Sequence, residues 1–225
     1  MKTAIAALAF IVATSSFAGG GGDILRGSVT VDTLEYQFND EKALSWDTYA
    51  FVGYDINKIY MYSEGEKAQG TSAQSENQLV YSRAVAPYWD LQMGVGYDTA
   101  ESSNQTWAVL GVQGLAPYFF EIRATLLFAA DGTAGVRTEV EYEALITQQL
   151  IVTPSVSVSA YTKDIPEMGI GSGMSNMTLG ARLRYEIRRE FAPYIGVEWS
   201  KNFANTNVFS PLNETYAVAG LRVWF

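Results

Sequence analysis

The last ten residues of the chain, YAVAGLRVWF, alternate strictly. Ala217, Ala219, Leu221, Val223 and Phe225 take every second position, with Tyr216, Val218, Gly220, Arg222 and Trp224 between them. A period of two predicts a strand whose two faces meet different surroundings. The same period recurs upstream. In LQMGVGYD, Leu91, Met93, Val95 and Tyr97 oppose Gln92, Gly94, Gly96 and Asp98. In VRTEVEYEA, Val136, Val140 and Tyr142 oppose Arg137, Glu139, Glu141 and Glu143, and in MTLGARLRYEI the apolar set from Met177 to Ile187 opposes Arg182, Arg184 and Glu186. Wound into a helix, these charges would scatter around the cylinder; in a strand they form a row along one face.

One such segment alone fits any half-buried antiparallel strand. The lengths argue further. The segments run to about 10–13 residues, against a mode near 5–6 for soluble strands and roughly 9–11 needed to cross a bilayer. An apolar face towards lipid and a charged face towards an enclosed lumen is the transmembrane barrel pattern, and closure is required because lipid offers an open edge no partner. The expected fold is all-β, a transmembrane antiparallel β-barrel of about twelve strands, near 26–38, 45–55, 58–68, 76–86, 89–99, 106–116, 118–130, 133–144, 148–161, 175–188, 192–202 and 214–225. Pro-Tyr pairs in APYWD, APYFF and FAPYIG predict three tight turns at one rim, each tyrosine at the membrane interface. With both termini in the periplasm, those turns fall on the periplasmic side and segments 69–75, 162–174 and 203–213 fall outside. The last strand then closes the barrel in lipid. Val223, Trp224 and Phe225 are expected to carry the signal read by the barrel assembly machinery.

The start of the chain supports export. MKTAIAALAFIVATSSFA has one lysine, a short apolar run and Ser16 and Ala18 in a small-x-small cleavage pattern, which predicts a signal peptide over 1–18. The run is about ten residues, half of the roughly 20 that a spanning helix needs. Residues 19–25 are expected to form a flexible Gly-rich N-terminus, and 26–225 the barrel. Loss of Lys2 takes the net charge from -9 to -10, a poor match for nucleic acid. The chain has no cysteine and no histidine, which removes disulfides, thiolate ligands and Ser-His or Cys-His catalysis, so no enzyme is expected.

Four stretches carry a family resemblance: LSWDTYAFVGYDINKIYMYSEGE, LVYSRAVAPYWDLQMGVGYD, TWAVLGVQGLAPYFFEI and GIGSGMSNMTLGARLRYEIRREFAPYIGVEWSKNF. Together they resemble the copper resistance protein B family of outer-membrane proteins, over nearly all of the chain after Asp32. The resemblance implies a part in copper tolerance at the outer membrane of a Gram-negative bacterium, copper ions as ligand, and periplasmic copper-handling proteins as partners. Members of that family usually carry a Met- and His-rich segment between signal peptide and barrel. The corresponding stretch here is GGGGD, Gly19 to Asp23, so copper binding is expected to rest on barrel or loop residues.

Alternation places Glu64, Glu66, Asp98, Glu121, Arg123, Arg137, Glu139, Glu141, Arg182, Arg184 and Glu198 in the lumen, where carboxylates and guanidinia can pair. The excess of acids favours a cation over an anion if the lumen conducts; solvation of a closed pore is the plainer reading. Met61 and Met93 lie on apolar faces and are expected to contact lipid. Met168 and Met174, in the loop before the strand that Met177 begins, form the candidate thioether set, with Glu167 or Asp164 as an oxygen ligand. Thioethers suit Cu(I) and carboxylates Cu(II), although a loop methionine often only fills a gap. The alternative function is a passive narrow cation-preferring channel or structural barrel.

Overall fold

The computed structural model describes residues 24–39, 42–101 and 103–225. The expected signal peptide and most of the Gly-rich segment lie outside the described residues. The described chain is a closed barrel of twelve antiparallel strands with almost no helix: β1 (Arg26–Gln37), β2 (Leu44–Gly53), β3 (Asn57–Lys67), β4 (Gln74–Ala86), β5 (Trp89–Thr99), β6 (Asn104–Ala116), β7 (Phe120–Phe128), β8 (Ala134–Tyr142, resumed at Ala144–Leu145), β9 (Leu150–Tyr161), β10 (Gly173–Tyr185), β11 (Phe191–Asn202) and β12 (Asn213–Trp224). Each strand pairs with its neighbours in sequence, and β12 pairs with β1 to close the ring. The strand count, the lengths of 9–13 residues and most boundaries agree with the period-two reading.

The faces divide as expected. Met61, Leu79, Met93 and Val95 are exposed on the outer wall, where lipid would cover them, while Ser82, Gln92 and Asp98 on the alternate positions are buried inside. Two of the expected Pro-Tyr turns are present. Tyr88 and Tyr118 both occupy the left-handed region at φ 67° and are exposed at one rim. The third is a correction. Pro193 and Tyr194 lie inside β11, because the connection has already turned at 186–190. The ladder with β10 begins at Tyr194, so the missing N–H of Pro193 falls just beyond it. The Tyr194 side chain is buried in the lumen, not in the interfacial belt.

At the opposite rim two loops pack on each other. Residues 162–172 include a short 3-10 turn, Pro166–Met168, and residues 203–212 include a four-residue helix, α1 (Thr206–Phe209). Gly171 donates its N–H to Thr206 Oγ1 at 2.8 Å, and Thr206 Oγ1 is 2.8 Å from Ser175 Oγ. A Cβ on residue 171 would lie 2.1 Å from the Thr206 nitrogen, so this contact requires glycine. Ile165 and Ile170 of the first loop pack against the inward apolar cluster to which Tyr161 and Trp107 belong, which brings that loop over the mouth of the barrel.

Candidate functional site

The interior is charged on one side and aromatic on another. Tyr60, Tyr62, Val80, Trp107, Val109, Leu127 and Tyr161 form one buried inward cluster. Beside it runs a row of acids. Asp47 on β2 is directly opposite Glu64 on β3, Glu64 opposite Glu76 on β4, and Glu76 opposite Asp98 on β5. Like charges facing one another across strands destabilise a sheet unless something neutralises them.

Arginines from the far wall do so. Arg137 on β8 crosses to β4 and β5, with Nη1 2.7 Å from Glu76 and Nη2 2.6 Å from Asp98. Its Nε donates to Tyr161 Oη at 2.9 Å, and Trp107 Nε1 donates to Asp98 at 2.7 Å. Arg123 on β7 sits 3.1 Å from Glu139 and 3.8 Å from Glu64, over the Tyr62 ring. A cavity of about 160 Å³ lies beside both guanidinia, lined also by Glu64, Glu76 and Glu139.

A second arginine group fills the other part of the lumen. Arg182 donates to Glu35 through Nε at 3.0 Å and Nη2 at 2.8 Å, and to Glu198 at 2.8 Å. Tyr194 Oη donates to Glu35 at 3.0 Å and Tyr216 Oη to Glu198 at 2.5 Å. Arg184 and Arg222 both donate to Glu143 Oε1, at 2.6 and 2.8 Å, and Arg222 also meets Asp32 at 2.8 Å.

Glu64, Glu66, Asp98, Glu121, Arg123, Arg137, Glu139, Glu141, Arg182, Arg184 and Glu198 all lie on inward strand positions, and ion pairs join eight of them to one another or to Glu35, Glu76 and Glu143. Sequence reasoning missed Asp32, Glu35 and Asp47. Asp32 and Glu35 are three apart, yet both face inward, because a bulge between Val31 and Leu34 shifts the register of β1. Asp47 was legible, two residues before inward Tyr49 and four before Phe51.

At the mouth, the five expected copper ligands are spread over one loop and the strand that follows it. Asp164, Glu167 and Met168 share the loop, Met174 is the second residue of β10, and Met177 lies on the outward face with Leu179, alternate to inward Asn176 and Thr178. Asp164 accepts the Ser172 N–H at 2.6 Å and the Asn205 amide at 3.1 Å, donors that hold its carboxyl below the usual carboxylate range. Among the described residues, no group of three or more acidic side chains is arranged to hold a metal ion.

A closed twelve-strand ring with an apolar outer wall and a charged lumen defines an outer-membrane β-barrel. Solved structures agree on the fold. The NanC porin superposes with a TM-score of 0.56 at 13% identity, over 88% of this chain and 99% of the porin, and the KdgM porin with 0.51 at 14%, over the same shares. Sequence comparison narrows the class. The family profile described as copper resistance protein B precursor matches residues 25–225. Copper resistance protein B of Escherichia coli is 41% identical over 203 residues, covering 88% of this chain and 69% of that protein, and the copper resistance protein B homolog of Pseudomonas syringae pv. tomato is 37% identical over 200 residues, covering 86% and 68%. The chain belongs to the copper resistance protein B family, and it is an outer-membrane protein of a Gram-negative bacterium.

Proposed function

We propose that this barrel protects the cell from copper by binding copper ions and sequestering them or moving them across the outer membrane, without catalysis. The observation that carries the reading is the in-register row Asp47, Glu64, Glu76 and Asp98 inside a barrel of this family. Arg137 and Arg123 partner three of these carboxylates, so the row would offer its oxygens, which are acceptable to Cu(II), where an arriving ion displaces a guanidinium. The thioethers of Met168 and Met174, with oxygen from Glu167 or Asp164, supply the softer candidate site for Cu(I) at the mouth, and Met177, on the outward face of β10, would have to turn towards them to complete it. Asp164 would have to exchange its Ser172 and Asn205 donors to take part. Periplasmic copper-handling proteins are the expected partners, and the barrel assembly machinery the expected route to the membrane.

The test has two arms. A strain lacking the protein should become copper-sensitive and regain tolerance with this chain. Cu(I) titration of the refolded chain should weaken in M168L/M174L/M177L, which preserves volume and apolarity. Unchanged sensitivity in the deletion strain would favour the second reading, a narrow cation-preferring channel with no metal role. Equal Cu(I) affinity in the triple variant would remove the methionines and leave the lumen carboxylates.

A further inference from the structure

The two arginine groups leave very different amounts of room. Beside Arg123 and Arg137 the lumen holds the cavity of about 160 Å³, room for several waters. Around Arg182, Arg184 and Arg222 it narrows to about 20 Å³, close to the minimum for one water. Thr153 and Arg184 line that smaller space and are 3% and 6% exposed. Their Thr153 Oγ1 and Arg184 Nε atoms have no hydrogen-bond partner in the protein. The constriction is therefore polar and narrow, with its three guanidinia matched by Glu35, Glu198, Glu143 and Asp32.

We propose that Arg182, Arg184 and Arg222 form the barrier of the lumen, holding an acidic outer chamber apart from the periplasm. The inference rests on the lumen being the ion route suggested above, and it names what regulates that route. Three observations support it. Glu143, just past Tyr142 on β8, takes both Arg184 from β10 and Arg222 from β12, so one carboxylate ties three strands across the ring. Arg182 on β10 reaches Glu35 on β1 in the same region, adding a second transverse tie. The space left between these paired charges is only about 20 Å³, too little for an ion with its hydration shell. Thr153 and Arg184 can hold a single water there, which marks the place where a continuous water file would form once the ties part.

Planar-bilayer recording in potassium chloride tests the barrier without copper. The parent barrel should be silent. R222Q/E143Q removes the tie while leaving the net charge unchanged, and it should give cation-selective steps. R123Q/E139Q, which makes the same exchange beside the wide chamber, should stay as silent as the parent. Stepwise conduction by the parent, silence of R222Q/E143Q, or equal opening by R123Q/E139Q would each overturn the assignment. Folding of every variant is read from its migration on unheated and heated gels. If R222Q/E143Q does not fold, R222K replaces it. Lysine keeps the charge but cannot serve Asp32 and Glu143 with a planar fork, so brief openings are expected, and their absence counts against the barrier. Copper sensitivity of cells carrying R222Q/E143Q separates the two ideas. An opened pore with unchanged copper tolerance leaves the barrier standing and removes the lumen as the copper route.

Discussion

Replacing Arg182 with methionine should cost this barrel about 3–5 kcal/mol of stability, the range for breaking a buried ion pair by removing one partner. Arg182 makes three charge-assisted hydrogen bonds, two to Glu35 and one to Glu198, at 2.8–3.0 Å. At about 1.5–3 kcal/mol each, their simple sum would be roughly 4.5–9 kcal/mol. That sum overstates the loss for two reasons. Tyr194 and Ser45 still donate to Glu35, and Tyr216 still donates to Glu198. The guanidinium's own dehydration penalty also disappears with it. What remains is a Glu35 carboxylate, 2% exposed, without its cation. Urea unfolding and refolding in lipid vesicles, followed by tryptophan fluorescence, measures the difference. The double variant E35Q/R182M should lose less than the sum of the two single variants, by about 0.5–3 kcal/mol. A loss under about 1 kcal/mol for R182M, or strict additivity in the cycle, would refute the argument that this pair is a buried, coupled tie.

Deleting Trp224 and Phe225 removes the closing bonds between Phe225 and Val29, at 2.9 and 3.1 Å, and the Trp224 Nε1 bond to the Arg189 carbonyl at 2.6 Å. The yield of folded outer-membrane barrel should fall sharply in cells, and an unchanged heat-modifiable band would contradict this. Substituting alanine at Gly171 forces a Cβ against the Thr206 and Asn205 backbone at 2.1 and 2.2 Å. The two mouth loops should separate, with faster tryptic cleavage at Lys163 and an intact barrel; a parental cleavage rate would count against the packing described. The change W107F removes a 2.7 Å donor from Asp98, which is 2% exposed, and should cost about 1–3 kcal/mol in the urea assay. No measurable change would mean that Arg137 alone satisfies that carboxylate.

Period-two alternation determined most of the architecture, because the direction of a side chain in a strand depends only on its own backbone. From it came the number of strands, the lipid face of Leu91, Met93 and Val95, and the inward placement of Arg137, Glu139 and Arg182. The Pro-Tyr signal worked at Tyr88 and Tyr118 and failed at Tyr194, since the same tripeptide can follow a turn as well as form one. Beyond that, local reasoning reached a boundary. The bulge at Val31–Leu34 reverses the parity of β1, so no alternation rule could place both Asp32 and Glu35 inside. Nothing local tells Arg137 that its partners are on β4 and β5, or Arg222 that Glu143 lies four strands away. Those pairings exist because the ring closes and brings opposite walls within a side chain's length. The sequence by itself therefore determined which face most residues take, the bulged stretch of β1 excepted. Only the tertiary structure decided which charges meet across the lumen and where it narrows, because both follow from ring closure and strand register, not from any single strand.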